Sequence, residues 1–142
     1  MLYRELTHKI IGAAFNVMNE LGEGFLESVY EKALVIRLEE LGIQVIRQAK
    51  IEVYYHGKTV GIFAVDLLVE DKVIVELKVG DALHSKHQEQ IINYLKASKM
   101  QVGLLILMKK DVFSRRFVNT VPPKLEDNHL SEPETIYLKG PE

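Results

Sequence analysis

The sequence contains no cysteine, and this absence excludes two classes of structure. A disulfide framework and a thiolate metal site both require cysteine, so neither can hold this fold together. No apolar run approaches the ~20 residues that span a bilayer, and the first residues lack the basic-then-apolar order of a signal peptide. These absences predict a cytoplasmic protein with no membrane association.

Positive charge is not in excess either. The chain has 18 Lys and Arg against 20 Asp and Glu, which gives a formal net charge of −2 at pH 7. Proteins that hold DNA mainly by covering its phosphates are usually basic. The balance therefore argues against tight, non-specific duplex binding. It does not argue against a site in which bound cations supply the positive charge, because a metal ion is often the largest local charge.

What remains is an ordinary globular composition in 142 residues, with 47% hydrophobic and 27% charged side chains and no internal repeat. This length has room for a single core. Apolar residues at three- and four-residue spacing predict helices over residues 6–21, 26–41 and 85–98. In the second helix the periodic apolar residues are Val29, Ala33, Ile36, Leu38 and Leu41.

Partly alternating and continuous apolar stretches predict strands over residues 44–55, 60–69, 73–79 and 102–108. His56-Gly57-Lys58 and Glu70-Asp71-Lys72 are typical of turns. The run Val73-Ile74-Val75 is apolar on both faces, which predicts a central position in the sheet. The predicted fold class is α/β (α+β): one domain with a mixed central sheet flanked by helices.

The pattern weakens after residue 108. Pro122-Pro123 breaks any regular element, residues 126–133 are polar, and residues 134–138 suit a short edge strand or none. We therefore predict a folded domain over residues 1–118 and a C-terminal extension over residues 119–142, to which the sequence assigns no role.

Charged residues interrupt two of the apolar strands, at Asp66, Glu76 and Lys78. Glu76 and Lys78 are two residues apart and share a face of their strand. If Glu70-Asp71-Lys72 forms a three-residue loop, Asp66 falls opposite Glu76, and two carboxylates so close either share a proton or hold a cation. A two-residue loop would instead place Asp66 on the opposite face.

These residue types suit phosphoryl chemistry. Carboxylate oxygens bind hard cations such as Mg²⁺, and such a metal lowers the pKa of bound water and stabilises charge on a phosphodiester. Lys78 would orient or deprotonate the attacking water. The alternative is a half-exposed strand on which Asp66 simply pairs with one of its charged neighbours, since short motifs often match by chance.

Two helices carry further polar candidates. Gln90 and Tyr94 are four apart and share one face of the third predicted helix, with His87 on the same side. The alternative for them is a solvated stripe of an amphipathic helix. Glu27 lies near the start of the second predicted helix, where the helix dipole alone would favour an acidic residue.

Taken together, these residues resemble a known family. Residues 24–30, Gly-Phe-Leu-Glu-Ser-Val-Tyr, match the Gly-x-x-Glu-x-x-Tyr signature of the GxxExxY protein family, a branch of the PD-(D/E)XK nuclease superfamily. Residues 61–66, then Glu76-Leu77-Lys78, then residues 90–94 resemble in order the motifs of RecB-like nucleases. The similarity runs from about residue 6 to about residue 108.

The resemblance implies a restriction-endonuclease-like core and a site formed by Glu27, Asp66, Glu76, Leu77, Lys78, Gln90 and Tyr94. Asp66, Glu76 and Glu27 would bind Mg²⁺ or Mn²⁺, and the backbone carbonyl of Leu77 would be a further ligand. Lys78 would be the catalytic lysine, with Glu27 reaching the site from its helix. Gln90 and Tyr94 would be auxiliary and would contact the substrate or the lysine.

Two positions depart from the pattern of the family. Members often have His where this chain has Met18, and Arg where it has Ala64, two residues before Asp66. Neither departure touches the implied metal ligands. Both bear on how a substrate is positioned.

Three functions follow as hypotheses. The first is a Mg²⁺-dependent phosphodiesterase, a nuclease that acts on DNA. The second is a catalytically inactive nuclease fold that serves as a binding or scaffold module, which the net charge of −2 favours. The third is a metal-dependent hydrolase of a smaller phosphate ester. A chain of this size has little surface for gripping a duplex, so a homodimer or a larger complex is compatible with the first.

Overall fold

The computed structural model describes residues 2–119 and the backbone of residues 135–137. The helices are α1 (Arg4–Leu21), α2 (Glu27–Glu40) and α3 (Ser85–Ser98). The strands are β1 (Val45–Tyr55), β2 (Lys58–Val69), β3 (Val73–Val79), β4 (Val102–Met108), β5 (Phe113–Val118) and β6 (Thr135–Tyr137). They form one sheet in the order β1-β2-β3-β4-β5-β6. Because β3–β4 and β5–β6 are parallel and the other pairs antiparallel, the sheet is mixed, which confirms the predicted fold class.

Helices cover both faces of the sheet. Residues of α1 and α2 pack with Val73, Val75 and Leu77, whereas α3 packs against the face that carries Ile74. Successive side chains of a strand point to opposite faces, so a strand covered on both sides must be apolar throughout. This explains why every residue of β4 is buried, and the interior position of β3 confirms the prediction made from its apolar run.

A glycine lets α3 approach the sheet closely. A Cβ atom built at Gly103 of β4 would lie 3.0 Å from Cδ1 of Ile91 in α3, closer than side-chain carbons ordinarily pack. Without a side chain at this position, the helix can sit directly against the strand next to β3. The polar face of α3 is thereby brought near the strands that carry the candidate site.

The helix α2 is present, but its predicted apolar face is only partly the buried one: Leu38 is buried and Ala33 packs against the core. Val29, Ile36 and Leu41 are exposed. The side chains that face the core are Tyr30, Glu31, Leu34 and Leu38. Apolar residues occur on several sides of this helix, so their spacing alone does not single out the buried side.

One strand was missed. β5 contains Ser114, Arg115 and Arg116, and these polar residues hide its strand character in the sequence. It forms because it pairs antiparallel with the wholly apolar β4. β6 pairs in parallel with β5, so residues 135–137 do form the short strand that the sequence left open. The predicted break at residues 122–123 and the polar residues 126–133 lie outside the described residues.

In the described part of the chain, no helix combines the length and the apolar character that crossing a membrane requires.

Candidate functional site

The turn between β2 and β3 sets the register of the site. Val69 pairs with Val73 across a three-residue loop, and the pairing continues to Leu67 with Val75. The next position therefore places Asp66 opposite Glu76. Of the two registers that the sequence allowed, the structure has the one that brings these side chains together.

Beyond Leu67 and Val75, β2 and β3 are joined by hydrogen bonds between backbone amides and side-chain carboxylates, and their backbone pairing ends. The backbone N–H of Asp66 donates a hydrogen bond to Oε2 of Glu76 at 2.6 Å. The backbone N–H of Leu77 donates to Oδ2 of Asp66 at 2.8 Å. Each carboxylate thus accepts an amide of the opposite strand, and the two are held side by side. We refer to Asp66 and Glu76 as the carboxylate pair.

The electrostatics of the carboxylate pair favour uptake of positive charge. Burial raises the pKa of Asp66 above its ordinary value. Burial, and then the charge of Asp66, raise the pKa of Glu76 to about 8. Backbone hydrogen bonds and Lys78 act in the opposite direction without cancelling these effects. Neighbouring carboxylates with raised pKa values, here one buried and one half-buried, bind a proton or a cation, and their oxygens suit Mg²⁺ or Mn²⁺.

Lys78 and Glu27 border the carboxylate pair. The charge of Lys78 lowers the pKa of both carboxylates, which places it within their electrostatic reach. Oε2 of Glu27 accepts a hydrogen bond from the backbone N–H of Val79 at 3.1 Å, and the charge of Glu27 raises the pKa of Asp66. Among residues 2–119, however, no three acidic or histidine side chains converge at metal-ligand spacing. Glu27 therefore lies near the carboxylate pair but does not form with it a three-residue cluster that could hold a metal ion.

The loop before α2 is fixed by Tyr30. Its buried hydroxyl donates to the backbone oxygen of Gly22 at 2.6 Å and accepts from the backbone N–H of Phe25 at 3.3 Å. Gly24 has a φ of 108°, which side chains rarely tolerate. The Gly, Glu and Tyr of the signature thus have distinct places: Gly24 turns the chain, Tyr30 holds the loop, and Glu27 begins the helix beside the site.

Helix α3 presents its polar face to the strands of the site. Nε2 of Gln90 donates to the hydroxyl of Tyr94 at 2.8 Å. The ring of Tyr94 stacks on Phe63 of β2, with ring centroids 4.0 Å apart. Burial and then the charge of Glu76 raise the pKa of Tyr94. These half-buried residues therefore lie near the carboxylate pair and do not form a solvated stripe.

His87 belongs to the same region. Burial, followed by the charge of Lys78, lowers its pKa. Its Nδ1 accepts a hydrogen bond from the backbone N–H of His84 at 3.3 Å, which caps the start of α3. His87 is thus a neighbour of the site that helps to fix the position of the helix.

A polar network that joins Asp66 to β1 and α2 was not predicted from the sequence. Nε2 of Gln48 donates to Oε1 of Glu31 at 2.8 Å and to Oδ1 of Asp66 at 3.4 Å. Nε of Arg47 pairs with the same oxygen of Glu31 at 2.7 Å. Glu31 is buried and lies one helical turn after Glu27. A charged residue between Tyr30 and Leu34 was the signal that could have revealed it.

A β-bulge explains why Gln48 could not be assigned from the sequence. The hairpin turn pairs Tyr55 with Lys58, and continuing that register would place Arg47 opposite Asp66. A shift between Val53 and Tyr54 moves the register by one residue. Gln48 therefore comes to lie opposite Asp66.

The two departures from the family pattern have different surroundings. Met18 is buried in the core between the helices and the sheet, where it contributes packing. Ala64 is exposed and pairs with Lys50 of β1.

Comparison with known proteins gives one extensive match. A family model described as the PD-(D/E)XK nuclease superfamily matches residues 4–118. No curated protein matches the sequence.

Two solved structures resemble the fold at low identity. The crystal structure of SSO0001 has 15% identity and a TM-score of 0.47, and the match covers 80% of this chain and 58% of that one. The present chain thus spans little more than half the length of SSO0001. An alkaline exonuclease from Laribacter hongkongensis has 14% identity and a TM-score of 0.38, with 72% of this chain and 74% of that one covered.

Proposed function

Because the chain belongs to the PD-(D/E)XK nuclease superfamily, we propose that it is a cytoplasmic, metal-dependent nuclease that hydrolyses phosphodiester bonds of DNA. The observation that carries the proposal is the carboxylate pair. Asp66 and Glu76 are held side by side by backbone amides at 2.6 and 2.8 Å. Their burial raises both pKa values, as expected of a site arranged for a cation.

Asp66 and Glu76 would hold the metal, with the backbone carbonyl of Leu77 as a further ligand. Glu27 would add negative charge from α2, or a ligand if its carboxylate turned away from the Val79 amide. A bound Mg²⁺ or Mn²⁺ supplies Lewis-acid stabilisation of phosphate charge and activates a water. Mg²⁺ usually retains several waters and few protein ligands. The two converging carboxylates fit that preference.

The other residues act on the substrate and on protons. Nζ of Lys78, on the same strand face as Glu76, would orient the attacking water or donate to a phosphate oxygen. Gln90 and Tyr94 form a hydrogen-bonded unit that stacks on β2. We assign to this unit contacts with the DNA backbone or with Lys78.

The test uses wild type, Asp66→Asn and a matched control, Asp71→Asn, which removes an exposed carboxylate from the β2–β3 turn. Calorimetric titration with Mg²⁺ and Mn²⁺ measures metal affinity, and cleavage of plasmid and of single-stranded DNA measures activity on the same samples. We expect wild type and Asp71→Asn to bind metal and to cleave DNA. We expect Asp66→Asn to do neither, because one of the two carboxylates is gone.

The remaining outcomes separate the alternatives. Metal binding without DNA cleavage, together with hydrolysis of a chromogenic phosphate diester, would indicate a smaller phosphate ester as substrate. Absence of metal binding in the wild type would contradict the nuclease and favour an inactive binding module. Sedimentation of the active sample, with and without DNA, would show whether the active species is a homodimer.

A further inference from the structure

Gln48 differs from every other residue with an unusual backbone in the described part of the chain. Six non-glycine residues have positive φ, and the other five lie in turns or at helix ends: Tyr3, His56, Glu70, Asp71 and Lys99. Gln48 alone lies inside a strand, β1, with a φ of 53°. A glutamine in this conformation is strained, and such strain persists only where the surroundings impose it.

The strain occurs at the position that faces Asp66. Arg47 pairs with Leu67 and Ala49 pairs with Val65, so Gln48 lies opposite Asp66, but these two residues are not part of the backbone ladder. Their side chains meet instead, with Nε2 of Gln48 at 3.4 Å from Oδ1 of Asp66. The other oxygen of Asp66 accepts the amide of Leu77. Both oxygens of this carboxylate are therefore held, one from β1 and one from β3.

The same amide group reaches helix α2. Nε2 of Gln48 also donates to Oε1 of Glu31 at 2.8 Å, and Arg47 holds that oxygen from the neighbouring position at 2.7 Å. Glu31 lies on the same helix as Glu27, one turn further along. Gln48 thus joins the helix that carries Glu27 to the strand that carries Asp66.

We propose that Gln48 is a positioning residue, whose strained backbone aims its side-chain amide so that the Asp66 carboxylate is fixed in relation to helix α2. Its consequence for metal binding rests on the proposed function. The positioning itself does not rest on that function, because it can be measured without metal. The length of the glutamine side chain is essential, since one nitrogen must reach two carboxylates on different elements.

The experiment compares three variants at this position with Lys50→Ala, an exposed change two residues along β1. Gln48→Gly and Gln48→Asn both suit a positive φ, but neither can reach Glu31 and Asp66 together. Gln48→Ala removes the amide and keeps the strain. A purely conformational role would be satisfied by Gly and by Asn, whereas a positioning role requires Gln.

Hydrogen exchange of the Leu77 amide reports the position of Asp66 without metal. In Gln48→Gly, Gln48→Asn and Gln48→Ala we expect exchange at Leu77 to quicken about tenfold relative to wild type, with amides of β4 unchanged. We expect no change in Lys50→Ala. Wild-type protection at Leu77 in Gln48→Gly and Gln48→Asn would overturn the proposal.

Mg²⁺ titration of the same proteins provides the second measurement. We expect affinity to fall by roughly 10-fold or more in all three Gln48 variants, as for other residues that orient a metal ligand. If the wild type itself binds no Mg²⁺, the proposed function fails, while the exchange rates at Leu77 still decide the role of Gln48. If Leu77 exchanges faster but Mg²⁺ affinity stays unchanged, the positioning has no bearing on the metal, and that part of the proposal is contradicted.

Discussion

The two halves of strand β3 (Val73–Val79) have the same neighbours but are bonded differently. Residues 73–75 pair with residues 67–69 of β2 through the backbone and are wholly buried among apolar side chains. From residue 76 onward, the carboxylates of Asp66 and Glu76 bridge the same two strands. Pairing with β4 in parallel continues along both halves.

The first half of β3 stabilises the fold, whereas the second half carries the candidate site. Burial of apolar side chains in the first half stabilises the folded state. In the second half, the burial of Glu76 and the partial burial of Asp66 work against stability in the absence of a cation, because burying charge is costly. A sheet seldom retains such a pair without a compensating role, and a metal site provides one.

The largest expected effect comes from removing the lysine of the second half. In Lys78→Met we expect the rate of DNA cleavage to fall by about 10²–10⁴, the usual contribution of a positioned proton-transfer group. Mg²⁺ affinity should be kept, because Lys78 is a cation and no ligand. Initial cleavage rates at saturating Mg²⁺ measure this, with Lys72→Met in the β2–β3 turn as control. A rate within threefold of wild type would show that Lys78 takes no part.

A change beside the first half should affect stability alone. Leu104 of β4 is buried and pairs with Val75. We expect Leu104→Ala to lower the free energy of unfolding by about 2–5 kcal/mol, as other buried leucine truncations do. Ile62→Ala, at an exposed position of β2, should change it by no more than about 0.5 kcal/mol. Urea unfolding gives both values; equal effects of the two variants would contradict the assignment of the core.

Replacing Glu76 is expected to raise the free energy of unfolding and not to lower it. Its pKa is raised from the ordinary 4.5 of a glutamate to about 8 in the folded protein, so the folded state favours its protonated form. This contribution to stability is complete below about pH 4.5 and is lost as pH rises through 8. In metal-free protein at pH 8, we expect Glu76→Gln to be more stable than wild type by about 1–4 kcal/mol.

The test of that prediction is urea unfolding in chelator at pH 5 and at pH 8. The advantage of Glu76→Gln over wild type should grow with pH. An advantage that is the same at both pH values would show that Glu76 ionises as an ordinary surface carboxyl does. Added Mg²⁺ should stabilise the wild type and leave the variant unchanged.

The smallest effect is expected from the α3 side. Tyr94→Phe removes the hydrogen bond from Gln90 but keeps the ring that stacks on Phe63. We expect a loss of about 0.5–1.5 kcal/mol of stability and unchanged Mg²⁺ affinity. Tyr55→Phe, at the exposed hairpin, is the control. Thermal unfolding measures the stability of both variants, and calorimetric titration measures their Mg²⁺ affinity. A change in Mg²⁺ affinity would move Tyr94 closer to the metal than proposed.

The sequence predicted the elements that follow one clear period. β3, β4 and α3 were predicted with the bounds that the structure has, and the opposition of Asp66 and Glu76 was one of the two registers that the sequence left open. β5 was missed because its partner β4 and not its own composition makes it a strand. The buried face of α2 was predicted only in part, because apolar residues occur on several sides of that helix.

The residues behind the site could not be predicted for a different reason. Gln48 comes opposite Asp66 only through the bulge between Val53 and Tyr54, and no local pattern marks that bulge. A charged residue between Tyr30 and Leu34 marks Glu31 in the sequence, but its link to Asp66 is visible only through its contact with Gln48. Long-range register, and not residue type, decides which polar groups meet.

Proton release on metal binding is the sharpest test of the proposal that Asp66 and Glu76 form a divalent-cation site. Calorimetric titration of Mg²⁺ at pH 7, in two buffers of different ionisation enthalpy, gives the number of protons released. Because the pKa of Glu76 is about 8 in metal-free protein, binding should release about one proton from the wild type and none from Glu76→Gln. Mg²⁺ that fails to bind, or binds without releasing a proton, would contradict the proposed cation site.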